Sequence, residues 1–124
     1  MILKMTPLLR VEAIEPCLSF WAERLGFTKV TEVMEGDNLG FVILTRGHVE
    51  VMLQSRASLA KDIPLLAQGA FSASVLYLGV TDFEELGPKL EGADIVVPKR
   101  ETFYGATEIW VRDPAGNIIG FAAA

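Results

Sequence analysis

The apolar positions along the chain change period several times, and each change marks an element. Residues 5–11, MTPLLRV, are a short apolar run in which Pro7 removes a ladder donor, so they predict an edge strand or a strand start. From Glu15 to Leu25 the period lengthens. Leu18, Trp21, Ala22 and Leu25 stand at i, i+3, i+4 and i+7, which predicts an amphipathic helix with Pro16 in its first turn and Gly26 at its stop. Three strand-like runs follow at 27–34, 40–46 and 49–55, separated by Gly36-Asp37-Asn38 and by Gly47-His48. After a helix-favouring connection from Arg56 to Gly69 the order returns: a strand at 74–80, then a helix at 81–92 that Gly87-Pro88 weakens. Asp82 is placed as its N-cap, and Phe83, Leu86 and Leu90 form its apolar stripe. A strand at 93–97, a polar loop at 98–105 and strands at 107–113 and 117–122 complete the second set.

The chain therefore predicts β-α-β-β-β twice. Val11 and Val80, Gly47 and Gly116, Leu9 and Leu78, Phe41 and Trp110, and Val42 and Val111 all stand 69 positions apart, as landmarks of a duplicated module would. The expected class is α+β: one folding unit with a first module at 1–55, a linker at 56–70 and a second module at 71–124. One helix covers one face of its sheet, so the second face of each module must meet something else or stay wet. In the fourth strand, Glu50, Met52 and Gln54 oppose Val49, Val51 and Leu53; near the end of the chain, Glu108, Trp110 and Arg112 oppose Ile109 and Val111. Neither second face is apolar enough for a deep core. Paired modules of this kind predict a curved mixed sheet that encloses a cleft.

Composition narrows the partners. Hydrophobic residues make up 51% of the chain and charged residues 22%, which is globular composition. A net charge of −5 with scattered basic residues disfavours nucleic acid and suits a neutral or cationic small ligand. A single cysteine, Cys17, excludes an intrachain disulfide, and no run is long enough for a membrane-spanning helix, so the expected location is the cytoplasm, with no membrane partner.

The LLRVEAIEPCLSFWAERLGF opening and the closing YGATEIWVRDPAGNIIGF resemble the vicinal oxygen chelate superfamily, which contains glyoxalase I, extradiol dioxygenases and bleomycin resistance proteins. The most specific elements are Phe20-Trp21 followed by Leu25-Gly26-Phe27, and the Asp113-Pro114-x-Gly116-Asn117 turn. The resemblance implies paired βαβββ modules and, in the enzymes, a divalent metal held by His, Glu or Gln from the first and last strands of each module. Those positions here carry Thr6, Met52, Val75 and Gly120, none a customary ligand, so no metal and no other cofactor are expected. Among metal-free members the chain is most similar to bleomycin resistance proteins, through Thr6-Pro7, Phe20-Trp21 to Phe27, and Gly40-Phe41-Val42-Ile43-Leu44-Thr45-Arg46-Gly47. That similarity implies a homodimer, with its N-terminal strands exchanged between partners, that sequesters a bulky cationic drug by aromatic stacking.

The residues expected to line the cleft are Phe41, Glu50, Met52, Tyr77, Tyr104, Glu108 and Trp110. Trp110 suits stacking on a planar ligand with its N–H available to a polar group, and Tyr104, in the loop before that strand, suits closure over a guest. Glu50 and Glu108 suit a cationic ligand, while Arg10 and Arg112 suit an anionic ligand or neutralisation of those same glutamates. Phe20 and Trp21 read as core, His48 as an exposed turn residue, and Cys17 as a thiol with no activating neighbour. The leading expectation is a metal-independent protein that binds and sequesters a planar or cationic, antibiotic-like aromatic compound. The alternative is a glyoxalase-like lyase or dioxygenase-like enzyme with an atypical or carboxylate-only site, and a third reading is a scaffold whose cleft its own side chains fill.

Overall fold

A computed structural model describes residues 1–123, whose strands form two mixed sheets of four, each built by its own half of the chain. Contacts divide the chain into compact units at 1–72 and 73–124. The first unit holds β1 (Leu8–Val11), β2 (Thr28–Glu35), β3 (Asn38–Arg46), β4 (Val49–Ser55) and helix α1 (Arg56–Asp62). The second holds β5 (Val75–Gly79), helix α2 (Phe83–Lys89), β6 (Asp94–Glu101), β7 (Thr107–Arg112) and β8 (Ile118–Ala123). Strand orders are β1-β4-β3-β2 and β5-β8-β7-β6, with the first pair of each parallel and the others antiparallel. The repeated βαβββ order and the α+β class are as the hydrophobic pattern predicts.

In the first unit the alternation of β3 and β4 puts Val42, Leu44, Val51 and Leu53 on one buried face beside Leu9 and Val11. Burying such a side chain contributes roughly 1.5–3 kcal/mol. The helical segment after β1 is wound differently from an ordinary α-helix. A tight turn at Glu15–Cys17 leads into a wide-wound turn at Ser19–Arg24, where the Leu25 amide donates to the Phe20 carbonyl. The wider winding rotates the inward stripe, so Cys17, Phe20, Trp21 and Leu25 are buried while Leu18 and Ala22 are only half-buried. Trp21 packs edge-on against Phe20 and Phe27. The connection after β4 is structured: Ser55 caps α1 by accepting from the Ser58 amide, and Pro64–Ala67 form a further short turn. Arg10 and Arg56 both lie over the Phe71 ring, and Arg10 donates to the Leu66 carbonyl, which ties the segment after α1 to its own sheet.

In the second unit Asp82 caps α2 by accepting from the Glu85 amide, and Leu86 and Leu90 are buried with Val111, Ile119 and Phe121. The expected loop at 98–105 is a correction. β6 continues through Glu101, and the register between β6 and β7 shifts twice, between Ile95 and Val97 and between Val97 and Arg100. Pro98 cannot donate to the ladder, so the strand passes it by bulging rather than ending.

The strand pairings also correct the constant 69-residue spacing. The β3–β4 connection spans only Gly47 and His48, whereas β7 and β8 are joined by residues 113–117. Phe41 pairs with Gln54 and Trp110 with Gly120, so the spacing of 69 between Phe41 and Trp110 becomes 66 between Gln54 and Gly120. Phe41 and Trp110 correspond in register when the row Arg10–Gln54–Phe41 is set against Tyr77–Gly120–Trp110. Leu9 and Leu78 do not correspond in that register.

Candidate functional site: an aromatic cluster around Glu108

The second face of the β5-β8-β7-β6 sheet carries a cluster of polar and aromatic side chains joined by hydrogen bonds. Three devices position it. The β7–β8 turn is locked by Asp113, which accepts from the amides of Ala115 and Asn117, while the Asn117 side chain accepts from the Ser74 amide just before β5. That fixes β5, β7 and β8 at one end. The β6–β7 loop closes through Thr102, whose amide and hydroxyl both meet the Ala106 carbonyl, with Gly105 at φ +86°. Tyr104 is thereby aimed back along β7. The β6 bulge is the third device. In an unbroken ladder continued from Val97 opposite Trp110, Lys99 would face Glu108; the extra residue puts Arg100 there and sends Lys99 over the Phe83 ring.

Glu108 lies at the centre, 1% exposed. Its Oε1 accepts from Arg100 Nη2 at 3.1 Å and from Trp110 Nε1 at 3.1 Å. Its Oε2 accepts from the Tyr104 hydroxyl at 2.5 Å and from the Tyr77 hydroxyl. The Tyr104 and Tyr77 hydroxyls, with smaller help from Trp110 and Arg100, hold this carboxyl at a pKa of about 2 against a burial effect of opposite sign. The Glu108 carboxylate and Tyr104 in turn push the Tyr77 phenol well above its ordinary value.

Around the carboxylate the rings are partly open. Tyr77 is 51% and Tyr104 58% exposed, and Tyr77 tilts against Trp110 with ring centroids 5.6 Å apart. Phe103 stands fully exposed with its ring edge-on to Tyr104 at 5.0 Å. Gly120, opposite both Tyr77 and Trp110, makes the arrangement possible: a β-carbon there would lie 2.6–2.7 Å from three atoms of the Trp110 six-membered ring. No side chain fits beneath the indole.

The structure thus brings four of the expected residues, Tyr77, Tyr104, Glu108 and Trp110, into one cluster. Phe41, Glu50 and Met52 belong to the other unit, each half-buried on the second face of its own sheet. Glu50 accepts from Lys4 Nζ at 3.1 Å and Thr6 Oγ1 at 2.9 Å, and the Lys4 ammonium, then Thr6, lowers its pKa. The expected arginine partners are corrected. Arg112 pairs with Asp94 and Arg10 with the Leu66 carbonyl, while Glu108 takes Arg100, a residue the sequence places in a loop. Nor is the Trp110 N–H available to a ligand, because Glu108 accepts it.

The positions where related enzymes hold a metal do not supply a ligand set. Val75 and Gly120 have no donor, the Trp110 ring fills the space above Gly120, and Thr6 already donates to Glu50. Among the described residues no group of three His, Cys, Asp or Glu side chains is placed to hold a metal ion, and His48 is exposed in its turn. An open pocket of about 450 Å³ lies on the opposite face, between α2 and the sheet, lined by Phe83, Pro88, Leu90, Ile95, Lys99 and Ile109; it includes none of the expected site residues. No helix among the described residues is long and apolar enough to cross a membrane.

The chain is similar to several solved structures. TioX from Micromonospora sp. ML1 superposes with a TM-score of 0.81 at 20% identity, covering 96% of each chain. Lactoylglutathione lyase from Agrobacterium tumefaciens gives 0.77 at 16% identity, covering 98% of this chain and 93% of the other. The bleomycin-binding protein from bleomycin-producing Streptomyces verticillus, complexed with copper(II)-bleomycin, gives 0.67 at 23% identity, covering 100% and 98%. At these identities the likeness is one of fold. No curated protein matches the sequence. The family description "Glyoxalase/Bleomycin resistance protein/Dioxygenase superfamily" matches residues 4–121, and the chain belongs to that superfamily.

Proposed function

We propose that this protein binds and sequesters a planar aromatic small molecule on the Tyr77–Tyr104–Trp110 surface, without a metal and without chemical turnover. The carrying observation is that one buried carboxylate, Glu108, fixes three aromatic side chains at once while two of the rings remain about half exposed. A platform whose side chains are already ordered loses little conformational freedom when a flat guest stacks on it. The copper(II)-bleomycin held by the Streptomyces verticillus protein supports an antibiotic-like ligand class.

Glu108 enters this reading as a positioning residue. Its lone pairs are occupied by protein donors, and Arg100 already balances its charge. Attraction for a cationic ligand therefore comes from the net charge of −5 more than from an ion pair with this group. The carboxylate-only enzyme loses its best base on the same grounds, since a group with a pKa of about 2 and four donors is a poor proton acceptor near neutral pH. A homodimer with exchanged N-terminal segments belongs to the same reading, as does a cytoplasmic location. The exposure of Ile2, Leu3 and Met5 fits such a dimer.

The test is isothermal titration with a panel of planar aromatic drugs against the native protein and Trp110→Ala. Saturable one-site binding that weakens at least tenfold in the variant is the expected result. Absence of saturable heat across the panel, or turnover of hemithioacetal or catechol substrates, contradicts it.

A further inference from the structure

The hydrogens of the Glu108 cluster carry a consequence for ligand choice. An ionised carboxylate only accepts, so the hydroxyls of Tyr77 and Tyr104, both bonded to Glu108 Oε2, must each donate their single proton to it. Neither phenol has a proton left for a guest. Their oxygens stand 3.3 Å apart, and each keeps lone pairs that the cluster does not use. Trp110 Nε1–H is likewise spent on Glu108 Oε1. The polar edge that this aromatic surface offers is a pair of adjacent acceptors, and the carboxylate behind them polarises both toward greater basicity.

We infer that the surface selects planar aromatic ligands that carry an N–H or O–H donor at the ring edge, and discriminates against isosteric rings that present only an acceptor there. The inference rests on the binding reading above and narrows it. A single ligand donor placed between the two phenol oxygens meets both, whereas an ether or carbonyl oxygen in that place meets two lone-pair regions and no proton. Discrimination of this kind exceeds what stacking supplies, because stacking is nearly blind to the replacement of N–H by O. Glu108 is the positioning residue for this selectivity, since it sets the direction of both hydroxyl protons. Gly120 is the second, since it admits the Trp110 ring that lies against Tyr77.

The experiment compares indole and benzofuran, rings of matched shape that differ by an N–H donor, titrated into the protein and followed at the Trp110 ring-proton signals. Indole is expected to bind about tenfold more tightly, the increment of one neutral hydrogen bond. In Glu108→Gln the side-chain amide must donate where the carboxylate accepted, one phenol proton turns outward, and the indole-to-benzofuran ratio is expected to fall below about threefold. Tyr77→Phe and Tyr104→Phe each remove one acceptor oxygen while keeping the ring. Both should lower the same ratio, and they keep the test decisive where Glu108→Gln folds poorly. Equal affinity of the two probes for the native protein overturns the selectivity and leaves the aromatic-binding reading standing; failure of both probes to bind overturns both.

Discussion

The two sheets share an order of strands and differ in what occupies the middle of their second faces. In the first, the row Arg10–Gln54–Phe41 crosses β1, β4 and β3, and Gln54 is buried with its amide donating to Ser58 and Asp62 of α1. Arg10, at one end of the row, is tied to Leu66 and Phe71 in the segment after α1. In the second, the row Tyr77–Gly120–Trp110 crosses β5, β8 and β7; a missing side chain in the middle lets the indole lie flat, and Glu108 ties the aromatic groups together from beneath. One face is closed by its own helix and arginine; the other is an ordered aromatic surface with open rings. The duplicated architecture thus carries a supporting face and an open aromatic face, the proposed binding face, with glutamine in the first and glycine in the second at corresponding positions.

The largest break in that comparison comes from filling the gap. Gly120→Ala drives a methyl group into the Trp110 ring and is expected to cost about 1–3 kcal/mol of stability, read by urea denaturation, and to abolish ligand binding. The turn that fixes the strands comes next. Asp113→Ala removes a buried acceptor of two backbone amides and the Asn117 side chain, and should cost about 1–3 kcal/mol while weakening binding less than Gly120→Ala does. On the supporting face, Gln54→Ala should cost about 0.5–1.5 kcal/mol and leave ligand affinity unchanged, which sharpens the separation of roles.

Acid gives the smallest effect at neutral pH and a specific one below it. Glu108 has its folded pKa depressed from 4.5 to about 2, so its contribution is fully present above the unfolded value and is lost as pH falls through the folded one. Denaturant midpoints should decline between about pH 4.5 and 2 in the native protein, with a shallower decline in Glu108→Gln. Tyr77 has the opposite sense: its raised pKa keeps the phenol protonated, and that contribution is fully present below the unfolded tyrosine value and declines as pH rises beyond it. Ultraviolet titration should show one tyrosine ionising above the ordinary range, and that component should vanish in Tyr77→Phe.

Element order was legible in the sequence because alternation and capping are local. Val51 and Leu53 against Glu50 and Met52 mark a strand face, and Asp82 marks a helix start, without reference to the rest of the chain. The composition of the site was legible in part, since Tyr77, Tyr104, Glu108 and Trp110 were all candidates on residue type. Their arrangement was not, because it depends on register. Arg100 reaches Glu108 only through a bulge at a proline that reads as a strand end, and Tyr104 reaches it only because Thr102 and Gly105 fold the loop back. The role of Glu108 inverted for the same reason: a carboxylate on a polar strand face reads as a group awaiting a cation until four donors from three strands and a loop are counted around it. Gly120 carried a hint, as a glycine in the interior of an apolar strand marks a close approach by some other group.

The central claim is that a ligand stacks on the surface Glu108 organises. Its most direct test is a ¹H–¹⁵N and aromatic ¹H titration of the protein with a planar, donor-bearing drug. Ring protons of Tyr77, Tyr104 and Trp110 should shift upfield in a saturable way while the Trp110 Nε1–H keeps the shift of a proton bonded to carboxylate. Saturable shifts gathered instead at Phe83, Leu90 and Ile95, on the far face of the same sheet, would contradict the account.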